Sequence, residues 1–344
     1  MSRNICISAV DGQTGFLIAE LFLTDPKFST KVDSVCGLSL HPTSAKCKEI
    51  QKLGGIIIPH KPGKVKDMVK TLKESGADTL CVIPPSHKDK FDITIELVTA
   101  GKKAEVPNVC LISSAGADMA DAKKQPRLRE FIDIEQLVME AKGDPNTPTG
   151  TSPVVIRAGF YAENLLNYSV QAQEGSLPLP IGPKHKFAPI ALGDVALVAA
   201  HVLSGKGKHG FDDKHRGQLI VLTGEFLISM SSIQLTSAGP MLAAGEELAE
   251  AATQALGTEM QFEDISEAEA KRVLHAQAAS DASELQYLLE YYSLVKEGKT
   301  NYISTCAFHD ITGQHPQELV DFFKVYANEF KPQHANKKRK TNGS

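Results

Sequence analysis

Eight residues near the start, Ser8-Ala9-Val10-Asp11-Gly12-Gln13-Thr14-Gly15, lie between a strand-length apolar run (5–10) and a segment with helical spacing (15–24). Small residues recur there at every third position: Ala9, Gly12 and Gly15. In a strand-to-helix turn this spacing lets the backbone bend tightly, approach a pyrophosphate and seat the helix on the sheet. The amides that open the helix have no intrahelical acceptor, so with the helix dipole they form an anion cradle. Ala9, Asp11, Gly12, Gln13, Thr14 and Gly15 are therefore the candidate contacts to a dinucleotide, NADP or NAD. The other reading of the same residues is turn chemistry alone, with the glycines serving shape. Four further candidates stand where strands end: His41 after the second, Pro84 after the fourth, Ser113 in the fifth and Tyr161 after the sixth. Ligands of open α/β sheets bind at that edge. Phe160 and Tyr161 can line a nicotinamide-sized pocket or pack a junction between two portions of the chain.

The elements that must position these residues alternate in period. Apolar runs rich in β-branched residues at 5–10, 32–40, 56–59, 78–85, 106–116 and 152–159 are separated by helical patterns at 15–24, 43–53, 64–76, 92–104 and 127–143. Thr43 or Ser44 can cap the helix that follows, and Gly54 stands at its C-terminal stop. Continuous apolar strands are buried on both faces, which predicts a parallel sheet covered by helices. Right-handed crossovers then give a doubly wound, Rossmann-like α/β domain over about residues 1–160. Beyond Gly159 the rhythm breaks into a smaller α+β portion, 161–330. It has Pro- and Gly-rich sequence at 175–194, one more strand at 217–223 and helices at 190–203, 245–256 and 267–297. Segments of this portion can return to the sheet. Residues 331–344 read as a disordered basic tail.

Composition narrows the function classes. The chain has 344 residues, 37 Lys+Arg and 41 Asp+Glu, for a net charge of −4. Lys337, Lys338, Arg339 and Lys340 sit together in the tail, and removing those four from 37 leaves 33 positive against 41 negative side chains. An acidic body repels a phosphate backbone, so direct nucleic-acid binding is not expected. The six cysteines lie mostly in apolar runs, with no Cys-x-x-Cys pair and no zinc-ligand spacing, so they read as free thiols and no metal is expected. His309 and His315, six residues apart in a turn-rich stretch, read as hydrogen-bonding groups. No uncharged apolar stretch reaches the ~20 residues of a membrane span, and no leader pattern precedes the first strand. A soluble, intracellular protein is expected.

The spacing A-x-x-G-x-x-G, the segment SPVVIRAGFYAENLL (152–166) and the run EYYSLVKEGKTNYISTCAFHDITGQHPQELVDFFK (290–324) together resemble the NmrA-like family, a branch of the atypical short-chain dehydrogenases. The resemblance covers nearly the whole chain except the tail. It implies a Rossmann domain, a small second domain and a cleft between them that binds NAD(P). It also implies that some relatives act as redox-sensing regulators of transcription instead of enzymes. This chain departs from the family at Ala9, where glycine is usual. It departs again at Leu38-Ser39-Leu40-His41-Pro42, where NADP-binding relatives carry an arginine. No carboxylate stands there for an NAD ribose either, and the third strand ends Pro59-His60-Lys61. Lys46 can reach a phosphate, or can simply be a solvated lysine.

The Tyr-x-x-x-Lys pair of catalytic short-chain dehydrogenases is absent from 129–135, and the nearest lysine in that helix is Lys142, towards its end. Tyr292 and Lys296 match its spacing by chance, far downstream. Ser113 and Ser114 end the fifth strand, where a catalytic serine can sit or can merely satisfy loop backbone. Three readings follow: a dinucleotide sensor that binds a protein partner such as a transcription factor; an NAD(P)H-dependent oxidoreductase of a small carbonyl or enone; and an interaction module with an empty cleft. The run Lys337–Lys340 reads as a minimal nuclear-import signal or a solubilising tail, so the expected location is the cytoplasm with access to the nucleus.

Overall fold

The computed structural model of the chain describes residues 3–140, 152–207, 211–224, 242–277 and 282–331. Strands and helices alternate through the first half: β1 (Arg3–Ile7), α1 (Gln13–Thr24), α2 (Pro26–Ser29), β2 (Val32–Ser39), α3 (Ala45–Lys52), β3 (Ile56–Pro59), α4 (Val65–Glu74), β4 (Thr79–Val82), α5 (Lys90–Lys103), β5 (Asn108–Ser114), α6 (Pro126–Met139) and β6 (Ser152–Ala158). The second half adds β7 (Phe160–Tyr161), α7 (Ser169–Gln173), β8 (Ser176–Leu179), β9 (Pro189–Ile190), α8 (Leu192–Leu203), β10 (Leu219–Leu222), α9 (Gly245–Leu256) and β11 (Gln261–Asp264). It ends with α10 (Glu267–Gln277), α11 (Ala282–Lys296), α12 (Ala307–Thr312), α13 (Leu319–Val325) and α14 (Ala327–Phe330).

Seven strands form one sheet in the order β10-β6-β5-β4-β1-β2-β3, every neighbouring pair parallel. This is the doubly wound, Rossmann-like architecture predicted from the alternating periods. The strand read at 217–223 is β10, which pairs with β6 in the register Leu219↔Val155 through Leu222↔Ala158. The sheet thus runs past the six strands of the first half. The chain returns through α8, which packs beside α1 on one face.

Alternation sets the two cores. Ile5 and Ile7 of β1 join Ile112, Ile156 and the α8 residues Val195 and Val198 on one face. Cys6 between them points to the other face, with Leu80, Leu111 and Leu97. All of these side chains are buried, and each stabilises the sheet by roughly 1.5–3 kcal/mol relative to exposure. A third core fills the second half, where Phe160, Tyr168, Tyr292 and Phe322 pack together with α9 and α11. Ser44 caps α3, its Oγ accepting from the Cys47 amide at 3.2 Å, and Gly54 follows with φ of +97°.

Strand order reverses between β1 and β4, so the crevice expected of an open α/β sheet lies outside their carboxyl ends. Ser8 fastens that point. Its Oγ donates to the Ile83 carbonyl at 3.0 Å and accepts from the Ile83 amide at 2.7 Å.

Candidate functional site

The turn from β1 into α1 is built on close backbone approach. Gly12 is the N-cap of α1, and its amide donates to the Ala9 carbonyl at 2.9 Å. A Cβ on Gly15 would stand 2.5 Å from the Ala9 carbonyl oxygen and 2.8 Å from its carbon, so only glycine lets the helix sit this close to the strand end. No side chain caps the helix and no acidic residue stands in its first turn. The opening amides of Gln13, Thr14 and Gly15 are thus left to an anion, aided by the helix dipole. Gly12 and Gln13 are exposed, while Thr14 and Gly15 are buried beneath them. The residues present fit a dinucleotide diphosphate.

Ala9, where the related turns carry glycine, adopts a left-handed backbone with φ of +50°. That conformation costs alanine roughly 1–2 kcal/mol and glycine almost nothing, against glycine's looser unfolded chain. Ala9→Gly is therefore expected to stabilise the protein by about 0.5–1 kcal/mol, read from the denaturation midpoint. A destabilised variant would show that the Ala9 methyl makes contacts worth more than the strain.

Beside the turn, Ser8, Ala9, Leu40, His60, Ile83 and Pro85 line a cleft. It lies at the ends of β1, β2, β3 and β4. Pro84 is half-buried directly after Ile83. His60 is buried, and burial holds its pKa below the usual imidazole value against the pull of the Glu96 and Asp11 carboxylates. His41 is exposed, and its amide is shared by two acceptors, Asp11 Oδ2 at 3.2 Å and Ser39 Oγ at 2.9 Å. Residues 38–42 contain no carboxylate, yet one stands at the end of β2. Asp11 carries it there from the phosphate turn, 30 residues earlier. A second cleft, lined by Pro59, Lys61, Lys64 and Met68, lies along the outer edge of the sheet beside β3.

On the other side of the switch point, two tyrosines meet the sheet edge. Tyr161 stands beside the Thr14 side chain, and burial drives its pKa above the ordinary phenol value. Tyr287 of α11 shares a 2.8 Å hydrogen bond with Ser114 Oγ at the end of β5, and its pKa is likewise raised by burial. Phenols held this way keep their protons at neutral pH, so in a proton transfer they can serve as acids and not as bases. The Lys90 ammonium stands 4.5 Å from the Phe131 ring centroid and 5.1 Å from that of Tyr287. Burial lowers its pKa while the Glu284, Glu130 and Glu290 carboxylates oppose the shift. Neither Tyr287 nor Lys90 was visible in the sequence, because no local spacing links positions 90, 114 and 287.

Ser113 turns the other way. Its hydroxyl donates to Glu135 Oε1 at 2.5 Å, and that carboxylate takes a bidentate pair from Arg157 at 2.9 and 2.7 Å. Phe160 packs against Phe187, Tyr291 and Tyr292, at the junction of the two portions. Tyr292, which fits the Tyr-x-x-x-Lys spacing, is a fully buried core residue of that cluster. The His309 and His315 rings lie 5.2 Å apart, and no cluster of metal-ligating residues occurs among the described residues. Lys142 and the basic run Lys337–Lys340 lie outside the described residues. No described helix is long and apolar enough to cross a membrane.

No family model matches the chain. Two curated relatives from Dictyostelium discoideum, prestalk A differentiation protein A and an NmrA-like family domain-containing protein, are 26% and 25% identical over 208 and 181 residues. The matches cover 59% and 51% of this chain but only 56% and 57% of those proteins. An NAD(P)H azoreductase from Xenophilus azovorans is 24% identical over 258 residues, 74% of this chain and 77% of that one. Among solved structures, the Escherichia coli NADPH-dependent quinone oxidoreductase complexed with NADPH superposes with a TM-score of 0.71 at 20% identity. That superposition covers 94% of this chain and 99% of the other. NmrA, a negative transcriptional regulator in complex with NADP, superposes at 0.63 and 16% identity, over 94% of this chain and 90% of that one. With the strand order and the glycine turn already in place, these likenesses show a Rossmann-like fold, in a chain similar in sequence to an NmrA-like family domain-containing protein and to an NAD(P)H azoreductase.

Proposed function

We propose that the chain binds a nicotinamide dinucleotide across the carboxyl ends of β1 and β4 and works as a reductase of a small conjugated acceptor, a carbonyl, enone or quinone. The observation that carries this reading is the open amide cradle at Gln13–Gly15 lying on the same sheet edge as a protonated hydroxyl pair, Tyr287 and Ser114. The amides of α1 would hold the diphosphate, and the cleft at Leu40 and His60 the adenine. When bound, the dinucleotide supplies a hydride. The chain's own part is to orient it, exclude water with Tyr161, and hold a proton at the Tyr287 hydroxyl, relayed through Ser114. The azoreductase and quinone oxidoreductase likenesses support the same chemistry.

Calorimetric titration with NADH, NAD, NADPH and NADP tests the binding, and a panel of quinones and enones tests the turnover. Tyr287→Phe is expected to lower turnover roughly a hundredfold with dinucleotide affinity unchanged. Full turnover in that variant would remove Tyr287 from the chemistry. A regulatory reading draws on a different observation. The hydrogen bond Ser114–Tyr287 and the approach of Tyr161 to Thr14 both join the first half to the second at the crevice. A dinucleotide touching both halves would favour one arrangement of them, and with it a protein partner such as a transcription factor. That reading predicts binding without turnover across the whole panel.

A further inference from the structure

We infer that Asp11 makes the adenosine end of this site selective for the dinucleotide without a 2′-phosphate, so that NADH is preferred to NADPH. Asp11 can act this way only if the turn holds a dinucleotide, as proposed above. In dinucleotide-binding sheets the end of β2 meets the adenosine ribose: a carboxylate there accepts from the free 2′-hydroxyl, and an arginine there pairs with a 2′-phosphate. Here the carboxylate comes from an unexpected place. Asp11 belongs to the phosphate turn, but its Oδ2 lies 3.2 Å from the His41 amide, two residues past β2.

Several donors that a 2′-phosphate could use are missing or already used. No arginine occurs between Arg3 and Arg127. The His41 amide is taken by Asp11 and Ser39, the Ser44 amide donates to the His41 carbonyl at 3.0 Å, and the Cys47 amide donates to Ser44 Oγ. Glu96, whose Oε2 accepts from the Gly63 amide at 2.7 Å, adds a second carboxylate near His60. Against these stand the half-exposed Lys46 and the His41 and His60 imidazoles; burial keeps His60 from holding a proton at neutral pH. A phosphate carrying up to two negative charges would face Asp11 at close range, and the like charges repel.

The test is calorimetry on the full chain with NADH and NADPH, supported by the adenosine ends alone, adenosine 5′-monophosphate and adenosine 2′,5′-bisphosphate. The expected result is NADH binding at least about tenfold tighter than NADPH. Asp11→Asn keeps an oxygen that can accept from the His41 amide but removes the charge. It should raise NADPH affinity and shrink the ratio severalfold. Should Asp11→Asn prove unstable by thermal melting, Asp11→Thr, also a neutral acceptor, takes its place. NADPH binding as tightly as NADH, or a ratio unmoved by either variant, overturns the role of Asp11 and leaves the dinucleotide site standing. Binding of neither dinucleotide overturns the site and the selectivity together.

Discussion

Gly15→Ala is expected to cost the fold about 3 kcal/mol and, on the proposed function, to abolish dinucleotide binding. The new methyl would stand 2.5 Å from the Ala9 carbonyl oxygen, 2.8 Å from its carbon and 2.9 Å from the Ser8 carbonyl oxygen. All three are backbone atoms, so no side chain can swing aside. α1 must lift from the end of β1, and the amide cradle moves with it. The Ser8 hydrogen bonds to Ile83, which close the sheet beneath the crevice, lie directly under the displaced segment. Gly12→Ala is milder, since its methyl would approach only the Ala9 oxygen, at 3.1 Å. Urea denaturation of both variants measures the difference. A Gly15→Ala protein within 1 kcal/mol of the parent would mean that helix and strand are not in the contact described.

Arg157→Met is expected to destabilise the protein by about 3–5 kcal/mol. Arg157 lies on β6 and reaches α6, where it binds Glu135 through two hydrogen bonds, and it also meets Asp118 Oδ1 at 3.0 Å. Glu135 is 5% exposed, and Ser113 Oγ donates to it as well. Removing the guanidinium leaves a buried carboxylate with a single hydroxyl donor, and the penalty is mostly that of the stranded charge. The double substitution Arg157→Met with Glu135→Met should recover most of the loss, because it removes the charge along with its partner. If the double variant is as unstable as the single one, the cost lies in packing around β6. The same network explains why Ser113, one residue short of Ser114, is held beneath the sheet edge while Ser114 meets Tyr287.

The alternation of strands and helices and the first turn were legible because their signals are local. Periodicity separated strands from helices, Ser44 and Gly54 bounded α3, and the helix read at 245–256 is observed as Gly245–Leu256, ended by Gly257 with φ of +71°. Strand ends were less exact. The run at 106–116 forms a strand only over Asn108–Ser114, preceded by Pro107 and ended where Gly116 turns the chain with φ of +86°. The strand at 217–223 was legible as a strand, but its place beside β6 depends on the packing of α8 against α1. Lys90 and Tyr287 escaped for the same reason as the reach of Asp11, itself a candidate, to the end of β2. Each meets a partner at least 30 positions away, and no sequence pattern records which helix returns over which strand. The reading of β2 as lacking a carboxylate was right for positions 38–42 and incomplete in space, since Asp11 arrives there from another loop.

A structure of the chain with reduced dinucleotide bound tests the amide cradle most directly. The expected density places the diphosphate within hydrogen-bond distance of the Gln13 and Thr14 amides above Gly12, with the ribose at Asp11. A dinucleotide seated elsewhere, or a turn with no diphosphate at saturating concentration, would contradict the proposed function and leave the fold as the only secure result.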